Sequence, residues 1–311
     1  MRALLIGDIH LSDRPPSSCT DDYLEDLFVI LEHTVDKVRE LGVDAVVWSG
    51  DVFHYKQPSR TSHATVQRAI DIIQSYPVPV YIVPGNHDMV NDRFDSIAAT
   101  QPLGVLFKTG ATLLNGWESE NEFPIFGVPW QQHWTDDTVS EALALYRSRA
   151  SEGSLVIAHA PLYPKGQELE WENYPIDKWA AYQSTGYCFY GHVPDNHGIY
   201  KVSPVTFCNL GAITRGSLHE SELTREIRVA LWDSSEGFTA LSVPHKPADQ
   251  VFRLMEKREL QDTQARLDEF LESVNEASIE ITSVESVMRH IRSLGLGLEL
   301  EKLIEELLSD V

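Results

Sequence analysis

Short apolar runs punctuate the N-terminal and middle parts of the chain. Ala3–Ile6, Ala45–Trp48, Val78–Val83, Pro124–Val128, Leu155–Ala158, Tyr187–Tyr190 and Val205–Cys208 are mostly continuous in hydrophobic residues rather than alternating. That pattern predicts strands buried on both faces. Between the early runs the period changes. Over residues 22–41 apolar positions fall at Leu24, Leu27, Phe28, Leu31, Val35 and Val38, the stripe of an amphipathic helix, and Gly42 supplies its stop. Residues 61–75 repeat the arrangement with Val66, Ala69, Ile70 and Ile73, after which Pro77 and Pro79 open the next strand. Strand–helix–strand alternation predicts an α/β fold. Glu226–Trp232 reads as a further strand with little helix around it, so the sheet system is expected to be mixed.

The pattern shifts near Pro244–Pro247. Beyond it, Leu267, Phe270, Leu271 and Val274 form one helical stripe. Val284, Val287, Met288, Ile291 and Leu294 form a second, with Thr282 and Glu285 as a capping box and Gly295 as the stop. Leu300, Leu303, Ile304, Leu307 and Leu308 form a third. The expected organisation is a main domain over residues 1–247 and a small helical C-terminal module over 248–311, which serves either partner docking or as a cap with its own packed core.

Composition adds constraints. The chain has 311 residues, 42% hydrophobic and 23% charged, ordinary for a globular protein with a sizeable core. The run Ala3–Ile6 is interrupted by Asp8 before a signal-type core forms, and no stretch is long enough to span a bilayer. Cys19, Cys188 and Cys208 include no Cys-x-x-Cys pair, which favours buried free thiols in a reducing cytoplasm over a structural zinc site. The net charge of −22 counts against tight, unassisted binding to a phosphate backbone. Carboxylates gathered around cations would weaken that objection.

Candidate chemistry recurs where the predicted strands end. Asp8-Ile9-His10 follows the first, Gly50-Asp51 the second and Gly85-Asn86-His87-Asp88 the third; His159 follows Leu155–Ala158, and Gly191-His192 follows Tyr187–Tyr190. Any one of these is more often a turn or a satisfied loop residue. Together they deliver oxygen and imidazole groups to one sheet edge, where sites of open α/β sheets assemble. A thiolate-free donor set suits Mn²⁺, Fe or Zn²⁺. Two such ions can stabilise the attacking and leaving oxygens of an in-line displacement and activate a water near neutral pH.

In order and spacing, these motifs resemble the calcineurin-like metallophosphoesterase superfamily over residues 1–245. The resemblance implies a four-layer α/β/β/α metallophosphoesterase sandwich with two divalent metal ions, Mn²⁺ foremost. It assigns Asp8 and His10 to the first metal, Asp51 to a bridge, and Asn86, His159 and His192 to the second metal. His87 becomes the general acid or transition-state stabiliser, and Asp88 orients His87 by hydrogen bonding. One position departs. The family's last motif is Gly-His-x-His, and its second His binds the first metal; here Pro194 stands there. Asp195, His197 or a water is left to fill the gap, or the first site is weak and fills only with substrate.

The segment Gly50-Asp51-Val52-Phe53-His54-Tyr55-Lys56-Gln57-Pro58-Ser59-Arg60 looks like that of the SbcD-type DNA repair nucleases. By that resemblance His54 sits beside the metals and helps position a DNA phosphate. The implied partners are DNA as substrate, an SbcC-type ATPase subunit and a second copy of the chain. Lys56, Arg60 and Arg68 form a local basic rim or a solvated helix start. Trp171, Tyr174, Trp179 and Tyr182, in an expected insertion over residues 165–186, read as loop anchors ahead of base-stacking platforms. The alternative function is a general phosphodiesterase or phosphatase acting on a nucleotide, phosphoprotein or lipid head group. A third reading is a decayed site on a binding protein.

Overall fold

In the computed structural model the described residues are 1–90, 93–118, 123–166, 173–218 and 220–254. Along the chain the strands are β1 (Arg2–Ile6), β2 (Ala45–Trp48), β3 (Val80–Ile82), β4 (Ala111–Leu113), β5 (Gly116–Trp117), β6 (Ile125–Val128), β7 (Leu155–His159), β8 (Leu162–Tyr163), β9 (Tyr174–Pro175), β10 (Tyr187–Gly191), β11 (Gly198–Val202), β12 (Val205–Asn209), β13 (Arg228–Asp233) and β14 (Gly237–Ser242). The helices are α1 (Tyr23–Leu41), α2 (His63–Ser75), α3 (Ser96–Thr100), α4 (Pro102–Thr109), α5 (Asp136–Ala142), α6 (Ala144–Arg147), α7 (Ile176–Gln183), α8 (Glu220–Thr224) and α9 (Ala248–Val251). α1 ends as its sequence requires: Gly42 takes the left-handed conformation at φ 60°, and its N–H bonds to the Val38 carbonyl. α2 starts at Ser62, whose hydroxyl accepts the Thr65 N–H.

Two six-stranded sheets result, ordered β14-β13-β1-β2-β3-β4 and β11-β12-β10-β7-β6-β5. β1 to β4 run parallel, as do β12, β10, β7 and β6. Antiparallel strands β13, β14, β11 and β5 complete the edges, so both sheets are mixed. The sheets face each other. Ala3, Leu5, Ala45, Val47 and Tyr81 from the first meet Ile125, Leu155, Ile157, Phe189 and Cys208 from the second in one buried cluster. The alternate residues of the second sheet, Phe126, Val156, Ala158, Cys188 and Tyr190, pack with Val139, Tyr146, Ile176 and Trp179 of its helices. Residues of both parities are thus buried, which is why the runs read as continuous apolar stretches. The fold is the expected α/β/β/α sandwich.

Parallel strands in each sheet point their carboxyl ends the same way, and the loops that follow β1, β2, β3, β7 and β10 carry the candidate donors. Pairing continues beyond the first sheet: the His10 and Leu11 N–H groups bond to the Asp51 and Val52 carbonyls, and the His54 N–H bonds to the Leu11 carbonyl. This ties the β1 and β2 loops side by side.

The aromatic residues around α7 serve as anchors. Trp179 and Tyr174 are buried, Tyr182 packs at the cluster's edge, and Trp179 Nε1 donates to Gln183 Oε1 at 2.9 Å. Trp171 lies outside the described residues. Cys19, Cys188 and Cys208 are buried free thiols. Among the described residues no helix is long and apolar enough to cross a membrane. The first compact unit runs Met1–Phe252. α9 belongs to it, because the Thr20 N–H bonds to the Val251 carbonyl and Cys19 pairs with Phe252. The C-terminal stripes expected beyond residue 254 lie outside the described residues. Replacing Trp179 with Ala should lower stability by about 3–5 kcal/mol in urea unfolding, and Tyr182→Ala by less than about 2 kcal/mol.

Candidate metal centre

The loops bring all six expected metal-binding residues into two adjoining groups. Donor atoms of Asp8, His10 and Asp51 lie within 4.8 Å of one another, as do those of Asp51, His159 and His192. Asn86 joins the second group through its Oδ1, 3.1 Å from His159 Nε2 and 3.0 Å from His192 Nδ1. Asp51 belongs to both. The backbone is bent to achieve this: His10, Asp51 and His192 have φ of 54°, 48° and 84°, the left-handed region that residues with a Cβ rarely adopt. The glycines leave room. A side chain at Gly50 or Gly85 would collide with His159, and one at Gly191 with the Asp8 carboxylate.

The hydrogen bonds around these residues select ligand-ready forms. His159 Nδ1 lies 2.8 Å from the Ser49 carbonyl. A carbonyl only accepts, so Nδ1 carries the proton. In the neutral ring, Nε2 then directs a lone pair at Asn86 Oδ1 and at Asp51 Oδ2, 3.4 Å away. Lone pairs facing one another require a cation or a proton between them. Asp8 is held by the His192 N–H, at 2.9 Å to Oδ2. His10 Nε2 lies 3.7 Å from Asp51 Oδ2, and its buried Nδ1 has no hydrogen-bond partner among the described residues. These are the features of a site that takes cations, and the residues present fit two of them.

The stretch after His192 supplies no replacement ligand. His197 turns away, its Nδ1 2.7 Å from the Tyr190 hydroxyl and its ring against Tyr163. Asp195 is exposed and joins none of the donor groups among the described residues. The Pro194 carbonyl accepts the Ala212 N–H at 3.1 Å.

His54 and His87 lie beside the first group. Their rings stack at 5.4 Å, and each stands edge-on to His10. His87 Nδ1 donates to the His54 carbonyl at 2.5 Å, which leaves Nε2 as its other nitrogen. Both rings line a cavity of about 320 Å³ with Ser12, Arg14, Tyr55 and Thr214. The expectation that Asp88 holds the His87 ring is corrected. The buried Asp88 carboxylate accepts the Val52 and Gly85 N–H groups, at 3.1 and 2.9 Å, and so clamps the β2 loop to the β3 loop. The basic rim is also thinner than its sequence suggests, since Arg68 pairs with Glu25 at 2.7 Å and covers Phe28. Trp130, which sequence reasoning missed, lies over His192 at 4.5 Å. Its position just past the end of β6 was the available signal.

Burial pushes Asp8 up to about 7, His159 partly offsetting it, and drives His10 down to about 3. Burial opposes charge on Asp51 and His159 too. Their mutual attraction outweighs it, holding Asp51 below the usual carboxylate range and raising His159 to about 9. A cation needs carboxylate and neutral imidazole, so at neutral pH its binding displaces protons from Asp8 and His159. Mn²⁺ affinity should therefore weaken as pH falls from about 8 to about 6, with proton release seen by calorimetry in buffers of different ionisation enthalpy. Asp88→Asn sets an amide N–H against a backbone N–H and should cost about 1–3 kcal/mol in urea unfolding.

The site and fold have known counterparts. The calcineurin-like phosphoesterase family model matches residues 1–196. The DNA double-strand break repair protein Mre11 of Methanococcus maripaludis is 23% identical over 188 residues, 57% of this chain and 49% of that protein. Its namesake in Methanocaldococcus jannaschii is 24% identical over 184 residues, 57% of this chain and 48% of that one. The chain thus spans about half the length of these curated relatives. The structure of TT1561 of Thermus thermophilus covers 78% of this chain and 98% of its own at a TM-score of 0.51 and 13% identity, a likeness of fold. With the family's motifs assembled at one sheet edge, the chain belongs to the calcineurin-like phosphoesterases.

Proposed function

We propose that this protein is a two-metal nuclease of the SbcD kind, hydrolysing phosphodiester bonds of DNA with Mn²⁺ as the favoured ion. The observation that carries the reading is the pairing of His54 and His87 on the wall of a cavity beside the shared donor groups. The relatives named for DNA double-strand break repair support it. Asp8, His10, Asp51, Asn86, His159 and His192 hold the ions, which supply charge stabilisation and lower the pKa of water. His87, its Nδ1 proton committed to the His54 carbonyl, presents Nε2 to protonate the leaving oxygen. Asp88 acts at one remove, fixing the loops that carry His54 and His87. His54, on the same wall, faces the phosphate.

The net charge of −22 and the engagement of Arg68 with Glu25 favour a second reading, a phosphodiesterase or phosphatase for a small phosphoester. They also bear on partners: an acidic chain needs its DNA clamp from elsewhere. We propose an SbcC-type ATPase for that part, docked through the C-terminal segment whose sequence carries leucine-rich stripes, with a second copy of the chain in the assembly. Three free buried thiols suit a cytoplasmic setting.

Purified protein with Mn²⁺ and the cognate ATPase should degrade DNA. His87→Ala should lower the rate by about 10²- to 10⁴-fold, and Asp51→Ala should abolish it together with ion binding. Intact DNA beside rapid turnover of a small chromogenic diester would select the second reading.

A further inference from the structure

Among the described residues the two donor groups are unequal. The second comprises four side chains, Asp51, Asn86, His159 and His192; the first comprises three, Asp8, His10 and Asp51. Ions of the class that carboxylate and imidazole bind take four or more ligands. The chain after His192 does not make up the difference. Pro194 has no donor side chain, Asn196 Oδ1 accepts the Gly198 N–H, and His197 is tied to Tyr190.

We propose that His54 is the fourth protein ligand of the first ion. Its donor nitrogen lies within 4.8 Å of those of His10 and His87, and its ring stands edge-on to His10 at 5.5 Å. Among the described residues neither of its ring nitrogens has a hydrogen-bond partner. The backbone keeps the ring in place from two sides. The His54 N–H bonds to the Leu11 carbonyl at 3.0 Å, next to His10 on the same loop, and the His54 carbonyl accepts His87 Nδ1. A ligand anchored this way loses little freedom when the ion arrives. With His54 included, the first set becomes two carboxylates and two imidazoles, equal in number to the second. The inference rests on the two-ion reading and changes the part His54 plays in it, from holding the substrate to holding the ion.

The test is Mn²⁺ alone, titrated into the metal-stripped full chain. Bound ions are counted by equilibrium dialysis, and the exchange-coupled pair is read by electron paramagnetic resonance. Circular dichroism establishes that each variant is folded. The wild-type chain should take two ions and give the coupled signal. His54→Ala should take one at the same free Mn²⁺, lose the coupling, and bind the other more than about tenfold more weakly. Adding Pro194→His to His54→Ala, which places an imidazole on the wall of the same cavity, should restore two ions and the coupling. A His54→Ala variant that keeps two coupled ions while its KM rises overturns the inference, assigns the ring to the substrate and leaves the two-ion reading intact. A wild-type chain that takes one ion or none overturns both.

Discussion

Asp51 is where the loops of two sheets become one site. Its carboxylate is buried, accepts the His87 N–H at 2.8 Å, and lies 3.7 and 3.4 Å from the Nε2 atoms of His10 and His159. A buried carboxylate is costly unless positive charge and N–H donors gather around it. Loops from β1, β3 and β7 must therefore all reach the end of β2. That requirement accounts for the glycines at 50 and 85, for the backbone bends at 10 and 51, and for the parallel pairing that runs past the ends of β1 and β2.

Around this centre lies a second layer made largely of main chain. The Ser49 carbonyl fixes the tautomer of His159 and the His54 carbonyl that of His87, while Asp88 joins the segments on which both depend. The His159 and His87 rings are thus oriented by groups that would survive most side-chain substitutions, so the geometry of the candidate site is tied to the path of the backbone.

This division explains what is legible in the sequence. β1, β2, β7, β10 and β12 are apolar on both faces and stand out as runs. β4, β5, β11 and β14 are short or alternating edge strands, and α5 and α6 are only a few residues long, so neither period has room to declare itself. The candidate metal-binding residues are readable because side chains of one chemical class recur after successive strands. The carbonyls of Ser49 and His54 carry no such mark, since every residue has one. Asp88 stands out in the sequence, but the partner that the resemblance implies for it, the His87 ring, is replaced in the fold by backbone N–H groups. Pro194 announces a gap, and Asp195 and His197 are its nearest candidates along the chain. His54 comes from another loop, its ring 5.5 Å from that of His10, to which the His87 ring lies nearer at 4.9 Å.

The left-handed backbone at His10, Asp51 and His192 sets local stability against the donor set. Each such residue forgoes about 1–3 kcal/mol that a glycine would recover. Firm loops and a complete donor set therefore pull in opposite directions at these three positions, since glycine would relax the backbone and remove a candidate donor.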